Sequence, residues 1–76
     1  MKALIEKLAN LRAIEGISHA WYMIDTGHAH TIHLGISYHI DSLSDVTDMH
    51  HAIRKITGYG YSINFELMTK KFVISK

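Results

Sequence analysis

Seven histidines stand among 76 residues that include no cysteine and no proline. Imidazole can ligate a metal, carry a proton near neutral pH or stack on a base, so the spacing of these residues decides which chemistry is open. His28-Ala29-His30-Thr31-Ile32-His33 has the look of a metal site, since imidazole binds zinc, copper and nickel well. In an extended strand, however, His28 and His30 project from one side and His33 from the other, so the three do not converge. His19 and His33 make better neighbours, opposed or diagonal on one sheet face. Two imidazoles leave a site incomplete, and neither an HExxH helix nor a carboxylate pair completes it. His50-His51 falls in a helical segment, where adjacent positions differ by about 100°. His50 is expected to border the core and His51 to face solvent. The reading predicts no metal and no cofactor.

Catalysis fares no better. His19 beside Ser18 has the chemistry of a general base, but the chain has no nucleophile elbow, phosphate loop or paired catalytic carboxylate. A non-enzymatic binding protein is the expectation.

The elements that must position these side chains can be read from periodicity. Leu4, Ile5, Leu8, Leu11 and Ile14 fall at helical spacing, with Gly16 placed to end that helix in a left-handed cap. Two strand-like runs, Ile17 to Ile24 and His30 to Ile40, flank Asp25-Thr26-Gly27-His28, which carries the aspartate and glycine of a hairpin turn. Ser42 then supplies an N-cap with Asp45 three residues on, and Val46, Met49, Ile53 and Ile56 repeat at helical spacing up to Gly58. Arg54 and Lys55 sit in the last turn, complementing the helix dipole. Tyr61, Ile63, Phe65 and Leu67 alternate with Ser62, Asn64 and Glu66, the clearest period-2 signal in the chain. Met68 to Lys71 reads as a turn, and Phe72 to Ser75 as a final strand.

The order αββαββ predicts one small α+β domain over residues 1–76, a mostly antiparallel sheet with two helices packed on one face. The other face is left open. On the second strand Ile32, Leu34, Ile36, Tyr38 and Ile40 are expected toward the helices, with Thr31, His33, Gly35, Ser37 and His39 outward. On the first, Ser18, Ala20, Tyr22 and Ile24 are expected inward, with Ile17, His19, Trp21 and Met23 outward. The open face thereby gathers His19, Trp21, Met23, His33, Ser37 and His39.

Charge adds a second clue to partners. Met1 to Ile53 holds three basic residues (Lys2, Lys7, Arg12) against six acids (Glu6, Glu15, Asp25, Asp41, Asp45, Asp48), a balance of −3. From Arg54 onward five basic residues (Arg54, Lys55, Lys70, Lys71, Lys76) meet one acid, Glu66, a balance of +4. Tyr59, Tyr61, Phe65 and Phe72 lie among those cations, a mixture suited to a phosphate backbone with unstacked bases. A solvated terminal hairpin would account for the same lysines.

The first helix, the strand opened by Gly16-Ile17-Ser18-His19, the hairpin and the second helix loosely resemble small RNA-cleaving toxins of the HicA type. Their fold is similar to double-stranded-RNA-binding domains, and their histidine follows a Gly-Ser pair. Here Ile17 stands between Gly16 and Ser18, the chain is far less basic, and the hairpin from Tyr61 to Lys76 has no counterpart. What the resemblance implies is limited to a leaning toward RNA.

Three uses of the open face follow: self-association through Trp21, Met23 and Ile17; a stacking platform for bases; or a tryptophan covered by the chain's own C-terminal hairpin. The favoured expectation is a regulatory protein that self-associates and binds RNA. Trp21, His19, His33 and Tyr61 would stack or anchor, and Arg54, Lys55, Lys70 and Lys71 would meet phosphates. A protein-binding inhibitor or adaptor that uses the Trp21 face is the alternative, and a histidine-based metal-binding protein is the less favoured third reading. Without a membrane-length apolar run, a signal-like start or any cysteine, a complete, soluble, cytoplasmic protein with no membrane partner is expected.

Overall fold

The computed structural model of the chain describes residues 2–24, 27 and 29–76. Helices α1 (Lys2–Ile5) and α2 (Leu8–Arg12) lead into strands β1 (Ile17–Ile24) and β2 (His30–Ile36). Helix α3 (Leu43–Thr57) and strands β3 (Ser62–Glu66) and β4 (Lys71–Ser75) complete an α+β fold. All strand pairs are antiparallel, in the order β1-β2-β4-β3.

Pairing explains the core. The register aligns Ala20, Leu34, Phe72 and Phe65 in one row across the sheet, and Tyr22, Ile32, Ile74 and Ile63 in the next. These rows form the inner face, and Leu4, Leu11, Met49 and Ile53 from the helices bury against them. Helix α3 begins as its sequence dictates. Ser42 is in extended backbone and its Oγ accepts from the Asp45 N–H at 3.2 Å, satisfying one of the free donors of the first turn. It ends at Gly58, whose N–H donates to the Arg54 carbonyl at 2.8 Å.

The expected first helix is broken in two. At Lys7 the backbone takes φ −96°, ψ 6°, and its N–H donates to Leu4 O at 2.9 Å, a tight turn instead of a continued α-helix. Lys7 Nζ meanwhile reaches the Ile56 carbonyl at 3.1 Å, tying the break to the last turn of α3. The apolar stripe survives the break, with Leu4 and Leu11 both buried. Gly16 does not cap α2, which closes on Ala13 in right-handed conformation. It serves three residues later, where the chain reverses into β1 at φ +95° and a Cβ would sit 3.2 Å from Met49 Sδ.

Two strand expectations fail, each for a local reason. Strand β2 stops at Ile36: the Ser37 N–H donates to Gly16 O at 2.8 Å, and a turn closed by Ile40 N–H to Ser37 O carries the chain up to α3. Tyr38 is therefore 91% exposed instead of facing the helices, and His39 leaves the sheet with it. In β1 a bulge falls between Ile17, opposite Ile36, and His19, opposite Gly35, so Ser18 is the extra residue. The bulge turns Ile17 to the core side, where it packs against the buried cluster, and leaves Ser18 exposed. Ile24, expected inward, is also exposed, at the far end of the same strand. Asp25, Thr26 and His28 of the expected hairpin turn lie outside the described residues. Among those described, no helix is long and apolar enough to cross a membrane.

Candidate functional site

The sheet leaves one face uncovered, and register alone populates it. Its rows run His19–Gly35–Lys71–Glu66, then Trp21–His33–Val73–Asn64, then Met23–Thr31–Ser75–Ser62. Side chains on alternate residues of a strand share a face, so these twelve are the complement of the core rows.

At the centre lies an indole stacked on two imidazoles. The Trp21 ring is 4.8 Å from that of His19, with 15° between planes, and 5.2 Å from that of His33, with 14° between planes. Such offset parallel packing orients the rings before any ligand arrives. Glycine makes it possible: His19 lies flat over Gly35, where a Cβ would come within 2.6 Å of its Cε1 and 2.8 Å of its Nε2. The ring is fixed from its other edge as well. Ser18 Oγ donates its single proton to Gly35 O at 3.1 Å, so it accepts from His19 Nδ1, 2.9 Å away. In the neutral ring this leaves His19 Nε2 as a free acceptor.

His33 is held differently. Its Nε2 is 3.1 Å from Thr31 Oγ1, whereas Nδ1 is buried with no hydrogen-bond partner. Protonation would place a charged N–H where no acceptor waits. Burial, and then the Lys71 ammonium, hold this imidazole below its ordinary range, with the Glu66 carboxylate pulling the other way. Lys71 Nζ itself stands 3.8 Å from Glu66 Oε1, a partly exposed pair that is weak enough to exchange for another anion.

The eight sequence-predicted site residues separate into groups. His19, Trp21, His33 and Lys71 share the open face. Arg54 and Tyr61 meet at the end of α3, where Arg54 Nη1 donates to the carbonyls of Gly58 at 2.9 Å and Tyr61 at 2.7 Å. The Tyr61 side chain packs against the core, with Lys76 Nζ 5.9 Å from its ring. Lys55 is exposed on α3, which covers the inner face. Lys70 lies in the β3–β4 turn at φ 49°, its Nζ donating to Tyr38 O at 3.3 Å. Of the other histidines, His30 bonds the Tyr22 hydroxyl through Nδ1, His39 meets Tyr38 edge-on, and His50 lies 6.1 Å from Phe72. No group of three or more possible metal ligands converges among the described residues.

Sequence reasoning missed Asn64, Ser62, Ser75 and Val73 as members of this face. The alternation of Ser62, Asn64 and Glu66 was the available signal; what it lacked was the strand order that sets β4 between β2 and β3. Fold and face together define an α+β protein with an open antiparallel sheet and a preassembled aromatic patch. Compared with known proteins, the chain matches no family model, no curated protein and no solved structure.

Proposed function

We propose that this chain is a non-enzymatic binding protein whose open sheet face takes unpaired RNA bases. The observation that carries the reading is the stack of Trp21 with His19 and His33 on an uncovered sheet. Splayed bases pack against such rings, and rings already fixed in place lose little entropy when they do. Asn64 and Ser62, exposed on the same face, offer amide and hydroxyl groups to base edges, and Lys71 offers an ammonium to a phosphate. Lys70 and Lys76 would extend the phosphate contacts toward the sheet margins, whereas Lys55 lies on the helix side of the sheet and the Arg54 guanidinium is already engaged by two carbonyls.

One observation favours a protein partner on the same face instead. Lys71 and Glu66 leave the surface close to neutral, and Met23 is 41% exposed in the row next to Trp21. The two readings differ in salt response, because phosphate contacts release counterions and an apolar interface does not.

Binding of a labelled single-stranded oligouridylate, measured at graded salt, tests the proposal. Trp21→Ala should weaken affinity about tenfold, since stacking one base on an aromatic ring contributes about 1–3 kcal/mol. Replacing Lys70 and Lys71 together by alanine should weaken it further and flatten the salt dependence. Affinity unchanged in both variants, or indifferent to salt, would sink the RNA reading and leave the protein partner.

A further inference from the structure

The molecule is electrically and sterically polar along α3, and its two ends are complementary. Beside the first half of the helix runs a groove of about 410 Å³. Its floor is apolar, made by Ile14, Ile40, Met49 and Ala52. Its rim carries the carboxylates of Glu15, Asp45 and Asp48, none of which bonds a cationic side chain among the described residues. Where α3 ends, the charges reverse. Arg54 and Lys55 close its last turn, Lys7 Nζ lies against Ile56 O, and Lys76 Nζ lies over the Tyr61 ring.

That basic end also carries a projecting aromatic. Tyr59 is 93% exposed, between Gly58 and Gly60, around which nothing lies within 4 Å of where a Cβ would be. The Arg54 guanidinium stands 5.6 Å from its ring. An exposed ring flanked by cations and an apolar groove rimmed by acids are a matched knob and hole. Over the nine residues from Asp48 to Thr57 the helix rises about 14 Å, which sets Tyr59 beyond the acidic rim of its own chain's groove.

We infer that the chain assembles with copies of itself, Tyr59 of one copy seated in the Ile14–Met49 groove of another and the exposed Lys55 facing Glu15, Asp45 and Asp48. The occupant is a second copy because the knob supplies what the groove lacks, an aromatic body with positive charge around it. The contact joins unlike surfaces, knob to groove, so it either closes reciprocally as a two-fold dimer with the α3 helices antiparallel or propagates as a ring or an open row. It leaves the Trp21 face free and does not rest on the RNA reading.

Mass measured by sedimentation or light scattering from micromolar to millimolar chain, at low and high salt, tests the inference. The native chain should grow heavier with concentration, and salt should reverse the growth. Tyr59→Ser removes the knob, and Asp45→Lys with Asp48→Lys inverts the rim; all three positions are exposed, and circular dichroism checks that both variants fold. Each variant alone should be monomeric. Mixed, they should form a one-to-one dimer and stop there, because each retains the half that the other has lost. A native chain that stays monomeric at millimolar concentration, variants that keep the native mass, or a mixture that remains monomeric would each overturn the inference.

Discussion

Gly35 is the residue on which the ring stack depends. Alanine there would place a methyl group within 2.6 Å of the His19 ring and push it off the strand, away from Trp21. Only the outer face would be disturbed, so Gly35→Ala should fold with unchanged circular dichroism, alter the emission of Trp21 and lower RNA affinity severalfold. Unaltered emission and affinity would show that the stack plays no part in binding. His33 sets a pH response of definite sign. Its pKa lies below the ordinary imidazole value, so the unfolded chain binds the proton more readily than the folded one. Stability should therefore be highest above about pH 6.5 and fall as pH drops through the window below it. His33→Gln should remove that part of the acid sensitivity, read as the difference in urea midpoint between pH 7.5 and pH 5. Histidine chemistry was legible in the sequence only as far as strand alternation reaches. That His19 and His33 share a face follows from parity, but the indole stacked on both depends on rotamers and on the missing Gly35 side chain.

At the scale of elements, capping and alternation carry most of the information. Ser42 is an N-cap by type and by geometry, and Ser42→Ala should cost about 1 kcal/mol in chemical denaturation. A loss near zero would mean that Ser44, whose hydroxyl is 3.3 Å away, takes over the cap. Strands β1, β3 and β4 and helix α3 fall within a residue or so of where periodicity puts them, because each has one wet and one dry side. The misreadings lie at a helix break, a turn and a bulge, where the backbone departs from the regular period that the pattern assumes. Lys7 reaches forward 49 residues to Ile56 and stabilises a break inside an otherwise regular amphipathic helix. A turn closed by Ile40 N–H to Ser37 O ends β2 four residues early, just past the cross-strand bond from Ser37 N–H to Gly16 O, and turns Tyr38 into solvent. A one-residue bulge at Ser18 reverses Ile17, a change of face that alternation cannot foresee.

For the whole molecule, the sheet separates two surfaces of different chemistry. The helices and the acid-rimmed groove belong to the inner side, the aromatic patch to the outer one, and a ligand on either leaves the other accessible. The charge split between the two parts of the chain was plain in the sequence, but its meaning was not. Folding places Lys71 beside the aromatic rows, draws Arg54 into carbonyl contacts and gathers Arg54, Lys55, Lys7 and Lys76 at one end of α3. The central claim is that bases stack on the open face, and the single tryptophan of the chain reports on it directly. The decisive measurement is a titration of Trp21 fluorescence with unlabelled oligouridylate at low salt, repeated at higher salt. The account predicts saturable quenching whose midpoint moves to higher RNA concentration as salt is raised. Emission that does not change at low salt, while the protein is folded and the RNA is in large excess, would contradict it.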